Sequence, residues 1–351
     1  MVAVVAFLFM SALTVFLLEL CLRLLNPFFP EPQRSIVQEA IRITHSNRRS
    51  YNGRIALPEK AKADVLVIGD SFVFGILVKE KSIFPNVLGQ LLGEKVTSLG
   101  VTAQSPPQYN RLLEVGARYE PKEVVYCVFA NDFLDYAPYA CRISTDSCYS
   151  ERTGDDRLFL REATSNDQIY QVQKWFGNLF ATLQICKLFQ QPKATGSKAI
   201  WQQGGNYIQF PEKPYWELLR YDRPETRAGM EEMLKMVECA RQFSNGLGAV
   251  FRVVLIPSKE MAYADIVDGA MRERIFDLSY LETYRVFRER LVGAGIPCLD
   301  TTPAIVEKAR SGQPPYFSID GHFNELGHEV TARAISDFLK RERAAAGRPP
   351  E

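Results

Sequence analysis

Five short apolar segments, separated by stretches with helical periodicity, constrain the fold of this 351-residue chain more than any other feature. Apolar runs of this length that end at turn residues are typical of strands buried in a parallel sheet. The predicted strands are Asp64–Gly69, Lys95–Val101, Glu123–Phe129, Ala249–Ile256 and Ile296–Leu299. The predicted helices are Ser82–Leu92, with Ser82 as N-cap, Pro106–Tyr119, Pro224–Ser244, Leu278–Val292 and Asn324–Arg343. This alternation predicts a three-layer α/β/α domain with a parallel, flavodoxin-like five-stranded sheet, whose ligands bind beyond the carboxyl ends of the strands.

An apolar stretch at the start of the chain predicts a membrane segment over residues 1–25. Val2–Leu18 is apolar apart from Ser11 and Thr14, and about 20 such residues span a bilayer. Neither a basic leader nor a small-x-small cleavage site is visible, so we expect an uncleaved anchor, with a buried helix as the alternative. Arginines after the segment favour a cytoplasmic body by the positive-inside rule, but long domains override that bias, so orientation stays open here.

The predicted domain organisation places one large domain after this anchor. Residues 26–63 form a polar connector, 64–345 the α/β domain and 346–351 a tail. Residues 133–223 interrupt the strand–helix rhythm and are predicted to be an inserted lid or cap. All three tryptophans fall in this insertion, where they form either a small core of their own or a platform for sugar rings: Trp175, Trp201 and Trp216.

Composition excludes several classes of protein. Hydrophobic residues make up 46% and charged residues 24% of the chain, as in ordinary globular proteins. The net charge of +1 provides no basic field, so we expect no nucleic-acid partner. Seven cysteines without a CxxC pair do not indicate a zinc site, and no cofactor is expected.

Four short polar segments stand where predicted strands end or just before the final helix: Gly69-Asp70-Ser71-Phe72, Gly100, Ala130-Asn131-Asp132 and Asp320-Gly321-His322. Each alone fits an ordinary turn. Together they bring a serine hydroxyl, an amide donor and an Asp-x-His pair to one edge of the sheet. Residues two apart in an extended segment point the same way, so Asp320 could orient the His322 imidazole while its other nitrogen takes the proton of Ser71.

This order of segments resembles the SGNH (GDSL-type) hydrolase superfamily over residues 64–132 and 248–340. The resemblance implies that Ser71 is the nucleophile, His322 the base and Asp320 its orienting acid. It implies an oxyanion hole made by the Ser71 backbone N–H, Gly100 and Asn131. One departure is Phe129-Ala130, where the family usually has a glycine near the third-block asparagine. Another is the Asp-x-His spacing, which is similar to that of bacterial polysaccharide O-acetylation enzymes.

The resemblance implies a serine-type ester hydrolase or O-acyltransferase that acts on acyl, chiefly acetyl, esters of a cell-envelope or exported polysaccharide. We accordingly expect a single-pass membrane protein with its catalytic domain on the extracytoplasmic (periplasmic) side. A transferase would need an acyl-donor partner protein, because we see no fused multi-span acyltransferase domain. The alternative is a non-catalytic glycan-binding protein that keeps the SGNH scaffold.

Two other histidines and two residues after the fourth strand are weaker candidates. His328 competes with His322 as the base, but its position in the last helix favours a packing role, and His45 is expected to be solvated. Lys259 and Tyr263 either take part in the site or are ordinary polar residues at a strand end.

The cysteines give one open question and one expectation. Cys141 and Cys148 form either a local disulfide or two unpaired thiols. Cys127 and Cys298 lie in predicted strands and are expected to remain thiols that pack as small apolar side chains.

Overall fold

The computed structural model describes residues 2–30, 33–35, 37–39, 41, 62–101, 105–133, 200–203, 206–210, 220–267 and 279–347. Several sequence predictions fall on other parts of the chain. They concern His45, the Cys141–Cys148 pair, Trp175 and Trp216, which lie outside the described residues.

A five-stranded parallel sheet forms the centre of the described domain, as the sequence predicts. The strands in chain order are β1 Val65–Gly69, β2 Val96–Gly100, β3 Glu123–Val128, β4 Ile200–Gln203, β5 Asn206–Gln209, β6 Val250–Leu255 and β7 Cys298–Asp300. The main sheet has the order β2-β1-β3-β6-β7, and all its neighbours are parallel. This order places β1 and β3 side by side in the middle, so the segments that follow them emerge together at one edge.

Helices cover the sheet, and the five predicted ones are confirmed with small shifts at their ends. The α-helices in chain order, including the N-terminal apolar one, are α1 Val2–Leu25, α2 Ser71–Phe74, α3 Phe84–Leu92, α4 Pro106–Gly116, α5 Pro224–Gly246, α6 Lys259–Tyr263, α7 Ser279–Gly293, α8 Thr302–Arg310 and α9 Glu325–Ala345. The predicted five are α3, α4, α5, α7 and α9. The short helices α2, α6 and α8 were not predicted, and neither was the antiparallel β4–β5 hairpin in the insertion.

One predicted helix start was wrong. Helix α3 begins at Phe84, with Ile83 as N-cap, whereas Ser82 ends a preceding 3-10 turn. The reason is a tertiary contact: the backbone N–H of Phe84 donates to Nδ1 of His328 in α9, at 3.2 Å. A side chain from another helix therefore supplies the capping acceptor that Ser82 was expected to provide.

The two central strands are buried on both faces. Val65, Leu66, Val67 and Ile68 of β1 are fully buried, as are the residues of β3 that pair with them. Burying one such aliphatic side chain stabilises a fold by about 1.5–3 kcal/mol. Ser71 follows β1 after a single intervening residue, so it stands on the most firmly packed part of the domain.

Helix α1 is long and apolar enough to cross a membrane. Its candidate span, Phe9–Phe28, has a mean hydropathy of 1.6 and is almost wholly exposed. Its two opposite charges are paired, because Arg23 Nε donates to Glu19 Oε1 at 2.7 Å. The helix is thus a candidate membrane anchor or signal sequence. The predicted boundaries of the anchor, connector, domain and lid stay predictions.

Candidate active site

Ser71 lies at the first position of α2, and Asp70 is the one residue between it and the end of β1. The Asp70 side chain caps this short helix, since Asp70 Oδ1 accepts from the Phe72 N–H at 2.9 Å. Gly75 ends the helix with a φ of 73°, a conformation that favours glycine, and its N–H donates to the Ser71 carbonyl at 2.9 Å. These contacts fix a single tight turn that presents Ser71 at the carboxyl edge of the sheet.

Gly100 ends β2 and pairs in register with Gly69. A Cβ added at Gly100 would stand 2.3 Å from the Phe74 nitrogen, which is too close for any real side chain. Only glycine therefore lets the helix that begins at Ser71 pack on the end of β2. This close approach gives Gly100 a structural role, and its part in an oxyanion hole stays a prediction.

The loop before α9 holds Asp320 and His322, and its own hydrogen bonds fix its path. Asn324 is the main anchor: its Oδ1 caps α9 by accepting from the N–H groups of Leu326 and Gly327. Its Nδ2 donates to the carbonyls of Pro314 at 2.7 Å and Tyr316 at 3.0 Å. One side chain thus joins the loop to the helix start, two residues after His322.

The structure brings Ser71, His322 and Asp320 into one hydrogen-bonded chain. His322 Nε2 lies 2.9 Å from Ser71 Oγ, and His322 Nδ1 lies 2.6 Å from Asp320 Oδ1. The backbone N–H of His322 also donates to Asp320 Oδ1 at 2.8 Å. The same carboxylate oxygen therefore orients both the ring and the main chain of His322, which is the geometry that a serine nucleophile requires.

The charges around this chain of contacts favour a basic imidazole. Burial opposes charge on His322, but the Asp320 carboxylate outweighs it and raises the pKa of His322 above its usual value, with a further contribution from Asp70. Burial works to raise the pKa of Asp320, yet the adjacent His322 holds it below its ordinary range. Burial raises the pKa of Asp70, whose Oδ2 also accepts from Ser71 Oγ at 3.3 Å.

Asn131 lies in a 3-10 turn, Ala130–Phe133, that follows β3 directly. The fully buried Asp132 shapes this turn, because its carboxylate accepts from the Tyr109 hydroxyl at 2.8 Å and from the Phe129 N–H at 2.9 Å. Asn131 itself is half-buried at the turn's start. Asp132 therefore holds the turn that carries Asn131 at the end of β3.

The Phe72 ring, in the turn after β1, packs against the end of β3 and against the loop before α9. Its ring centroid is 4.3 Å from that of Phe129 and 5.0 Å from that of His322. Phe129 is one of the two residues that stand in place of the family's usual glycine. The aromatic contact explains how the bulkier residue is accommodated: it packs beside the serine turn at the carboxyl edge.

Lys259 and Tyr263, the weaker sequence candidates, have different surroundings. Lys259 is 1% exposed, and its Nζ donates to the carbonyls of Ser318 at 3.0 Å and Asp320 at 3.1 Å. The Tyr263 ring packs among Phe210 and Tyr316. Lys259 therefore contacts the loop that carries Asp320, whereas Tyr263 contributes to aromatic packing.

Sequence reasoning missed Glu39, which lies in the predicted connector. Its carboxylate accepts from the backbone N–H groups of Ile319 at 2.8 Å and Asp320 at 2.7 Å. The partners are 280 and 281 residues apart in the chain, so no local pattern could have indicated the contact.

His328, the competing base, is engaged elsewhere. It is 1% exposed, and Nδ1 accepts the Phe84 N–H that begins α3. Its ring also stacks on that of Phe84, with centroids 5.9 Å apart. The prediction of a packing role for His328 is confirmed.

The cysteines of the described residues fall into two groups. Cys127 and Cys298 are free thiols, as predicted; burial raises the pKa of both, that of Cys298 to about 12. Cys239 in α5 is disulfide-bonded, which the sequence analysis did not anticipate. Across the described residues, no cluster of three or more His, Cys, Asp or Glu side chains could hold a metal ion.

Residues 214–351 match a family model described as the SGNH hydrolase-like domain of the acetyltransferase AlgX. The matched region includes Asp320 and His322 and begins after Ser71. The match confirms the resemblance to SGNH hydrolases that the sequence motifs indicated. No curated protein matches the chain.

Solved structures also resemble the chain. A putative lipolytic protein of the G-D-S-L family from Desulfitobacterium hafniense DCB-2 has 12% identity and a TM-score of 0.38, covering 78% of this chain and 98% of its own. A catalytic mutant of an acetylxylan esterase from Geobacillus stearothermophilus has 13% identity and a TM-score of 0.40, covering 80% and 94%. An aryl esterase from M. smegmatis has 14% identity and a TM-score of 0.38, covering 80% and 99%.

The α/β fold and the contacts at the carboxyl edge agree with this family match. Over residues 214–351 the chain is similar to the SGNH hydrolase-like domain of an acetyltransferase, which supports an enzyme of the esterase or O-acetyltransferase type.

Proposed function

We propose that Ser71, His322 and Asp320 form a catalytic triad that cleaves or transfers acyl groups, chiefly acetyl, of a cell-envelope or exported polysaccharide. The observation that supports this most directly is the pair of contacts from His322, at 2.9 Å to Ser71 Oγ and 2.6 Å to Asp320 Oδ1. A nucleophile, a base and an orienting acid in that order are what acyl transfer through a covalent intermediate needs.

In the first half-reaction His322 acts through Nε2. It takes the hydroxyl proton of Ser71 as Oγ attacks the ester carbonyl carbon, and a tetrahedral intermediate forms. The Nδ1–H donates to Asp320, which stabilises the imidazolium. His322 then returns the proton to the leaving alcohol, and the acyl group stays on Ser71.

The negative charge of the tetrahedral intermediate needs fixed hydrogen-bond donors. We assign this task to the backbone N–H of Ser71, the backbone of Gly100 and the side-chain amide of Asn131. The N–H at the first position of a helix has no acceptor within the helix, so the Ser71 N–H is available to an oxyanion. Gly100 packs against the same turn, and Asn131 stands at the neighbouring strand end.

The second half-reaction decides between hydrolysis and transfer. Water activated by His322 would release the acid, whereas a sugar hydroxyl in the same position would accept the acyl group. A transferase cycle would need a partner protein to supply the acyl donor. The insertion lies next to the site, because its β4–β5 hairpin reaches the loop that carries Asp320: the Gln209 N–H donates to the Ser318 carbonyl at 2.8 Å.

We further propose that α1 anchors the enzyme in a membrane with the catalytic domain on the extracytoplasmic side. The exposed apolar surface of α1 supports the anchor. The disulfide at Cys239 supports the sidedness, since disulfides persist in oxidising compartments such as the periplasm and are rare in the cytosol.

The experiment that tests the function is acyl release from p-nitrophenyl acetate by the full chain in detergent, with and without an oligosaccharide acceptor. We expect p-nitrophenol release in both arms, and acetylated oligosaccharide in the second if the enzyme transfers. Ser71→Ala is the matched control, because it removes one oxygen atom.

A wild-type protein that binds oligosaccharide but releases no p-nitrophenol would support the non-catalytic glycan-binding alternative. Equal release by the wild type and by Ser71→Ala would contradict the proposed nucleophile.

A further inference from the structure

The main chain of residues 318–320, just before His322, is held by groups from outside its own loop. The Glu39 carboxylate accepts from two successive N–H groups, those of Ile319 and Asp320. Lys259 Nζ donates to the carbonyls on either side, those of Ser318 and Asp320. A carboxylate and an ammonium group therefore hold complementary backbone groups of the same three residues.

We infer that Glu39 and Lys259 are positioning residues that hold the Asp320 carboxylate against His322. Together these two residues form a clamp on the main chain of residues 318–320. The inference rests on the proposed triad and adds to it a residue of the segment that follows the apolar helix, so the connector becomes part of the support of the active site.

Burial argues that the clamp does more than stabilise the fold. Glu39 is 3% exposed and Lys259 is 1% exposed. Taking two charges out of water is costly, so a pair of buried charges is often no more stabilising than apolar side chains of the same volume. What apolar residues could not do is accept two N–H groups and donate to two carbonyls. The specific effect of the clamp is therefore on the path of the main chain at Asp320.

Geometry explains why this path matters. Asp320 Oδ1 lies 2.6 Å from His322 Nδ1, so a small displacement of residues 318–320 would break the contact that orients the ring. A misplacement of about 1 Å in a reacting constellation can cost about 100-fold in rate. The clamp is accordingly expected to affect turnover more than substrate binding.

The charges around the clamp make the pKa of His322 a second quantity that can be measured. Burial raises the pKa of Glu39 to about 7, a shift that Lys259 reduces and Asp320 increases. Burial lowers the pKa of Lys259 to about 8, opposed by Glu39, Asp320 and Glu260. The charges facing His322 are Asp320 and Asp70, which raise its pKa, and the Lys259 ammonium, which lowers it. Asp320 contributes more than Lys259, so a clamp variant that lets Asp320 move away should lower the pKa of His322, whereas loss of the ammonium charge alone would raise it.

The first test is Glu39→Gln in the full chain in detergent, with p-nitrophenyl acetate as substrate. The amide keeps one acceptor oxygen but turns an N–H₂ group toward the second backbone donor. We expect kcat to fall about 10- to 100-fold while KM stays within about twofold. The matched control is Glu329→Gln, which removes an exposed carboxylate paired with Arg333 and should change neither constant.

The second test is Lys259→Met, followed by NMR titration of the ring protons of the histidines. Only three histidines occur in the chain, so the His322 signal can be assigned with His322→Gln. We expect the pKa of His322 to fall in Lys259→Met, because the Asp320 carboxylate is no longer held against the ring. It should stay unchanged in Lys235→Met, which removes an exposed ammonium paired with Glu232.

Either result can overturn the inference. A Glu39→Gln protein with wild-type kcat would remove the positioning role, and so would a pKa of His322 that is unchanged or raised in Lys259→Met. The NMR titration decides the matter even if Glu39→Gln fails to fold. An inactive wild type would instead contradict the proposed function, and the titration would still report on the clamp.

Discussion

The two edges of the central sheet both contain buried charges, but of different kinds. At the amino edge, Arg343 donates to Glu94 at 2.6 and 2.8 Å and to Glu123 at 3.0 Å, and Arg252 pairs with Glu123 at 3.0 Å. Guanidinium groups stay protonated at any physiological pH, so this edge is a fixed set of ion pairs. At the carboxyl edge the corresponding groups are the His322 imidazole, the Lys259 ammonium and the carboxylates of Glu39, Asp70 and Asp320.

The difference concerns how easily each edge changes its protonation state. Neighbouring carboxylates raise the already high pKa of Arg343, whereas the carboxyl edge brings Glu39 to about 7 and Lys259 to about 8. Perturbed pKa values near neutrality are typical of functional sites. Helix α9 joins the two edges, since Asn324 caps its start beside His322 and Arg343 lies in its last turn. The amino edge is therefore expected to serve stability, and the carboxyl edge chemistry.

The largest expected effect is loss of turnover at the carboxyl edge. Ser71→Ala and His322→Gln should each lower ester turnover by about 10³–10⁶-fold, and the double variant should be little worse because triad members act as a unit. Steady-state kinetics with p-nitrophenyl acetate measures this, and circular dichroism checks that the variants stay folded. The matched control is His328→Gln, which keeps a side-chain acceptor for the Phe84 N–H. An inactive His328→Gln with an active His322→Gln would reverse the assignment of the base.

At the amino edge the expected loss is in stability. Glu123→Ala would leave Arg252 without its buried partner carboxylate and remove one of the two partners of Arg343, which should lower the free energy of unfolding by about 3–5 kcal/mol. Urea unfolding measures the loss, and kcat/KM of the folded protein should stay near the wild-type value. A large fall in kcat/KM with little change in stability would break the division between the two edges.

A smaller loss of turnover is expected when the proposed oxyanion donor Asn131 is removed. Asn131→Ala should cost about 10²–10³-fold in kcat, since each fixed donor to a tetrahedral intermediate is worth that much. Asp132, the neighbour that holds the turn, is left intact, so thermal unfolding should change little. A loss below about threefold would return Asn131 to an ordinary turn position.

The parts of this organisation that could be predicted from sequence are those with a local pattern. The five strands follow from apolar runs, the long helices from their periodicity, and the serine and Asp-x-His segments from their places at strand ends. The start of α3 and the contact of Glu39 could not be predicted. Each depends on a single side chain from a distant part of the chain, His328 for Phe84 and Glu39 for Asp320. A one-residue tertiary contact leaves no periodicity to detect.

The smallest effect expected at the carboxyl edge is a shift of the pH profile. His322 must be neutral to act as a base, so kcat/KM of the wild type should fall as pH drops through a pKa above the usual imidazole value. Asp70 contributes to that rise after Asp320. Asp70→Asn keeps an N-cap for Phe72 but loses the negative charge, so the acidic limb should move to lower pH by less than about one unit. The matched control at the other edge is Asp64→Asn, next to Lys122, which should leave the limb in place. A limb that does not move in Asp70→Asn, or that moves upward, would mean that another group controls the acidic side of the profile and that the carboxyl edge does not set the basicity of His322.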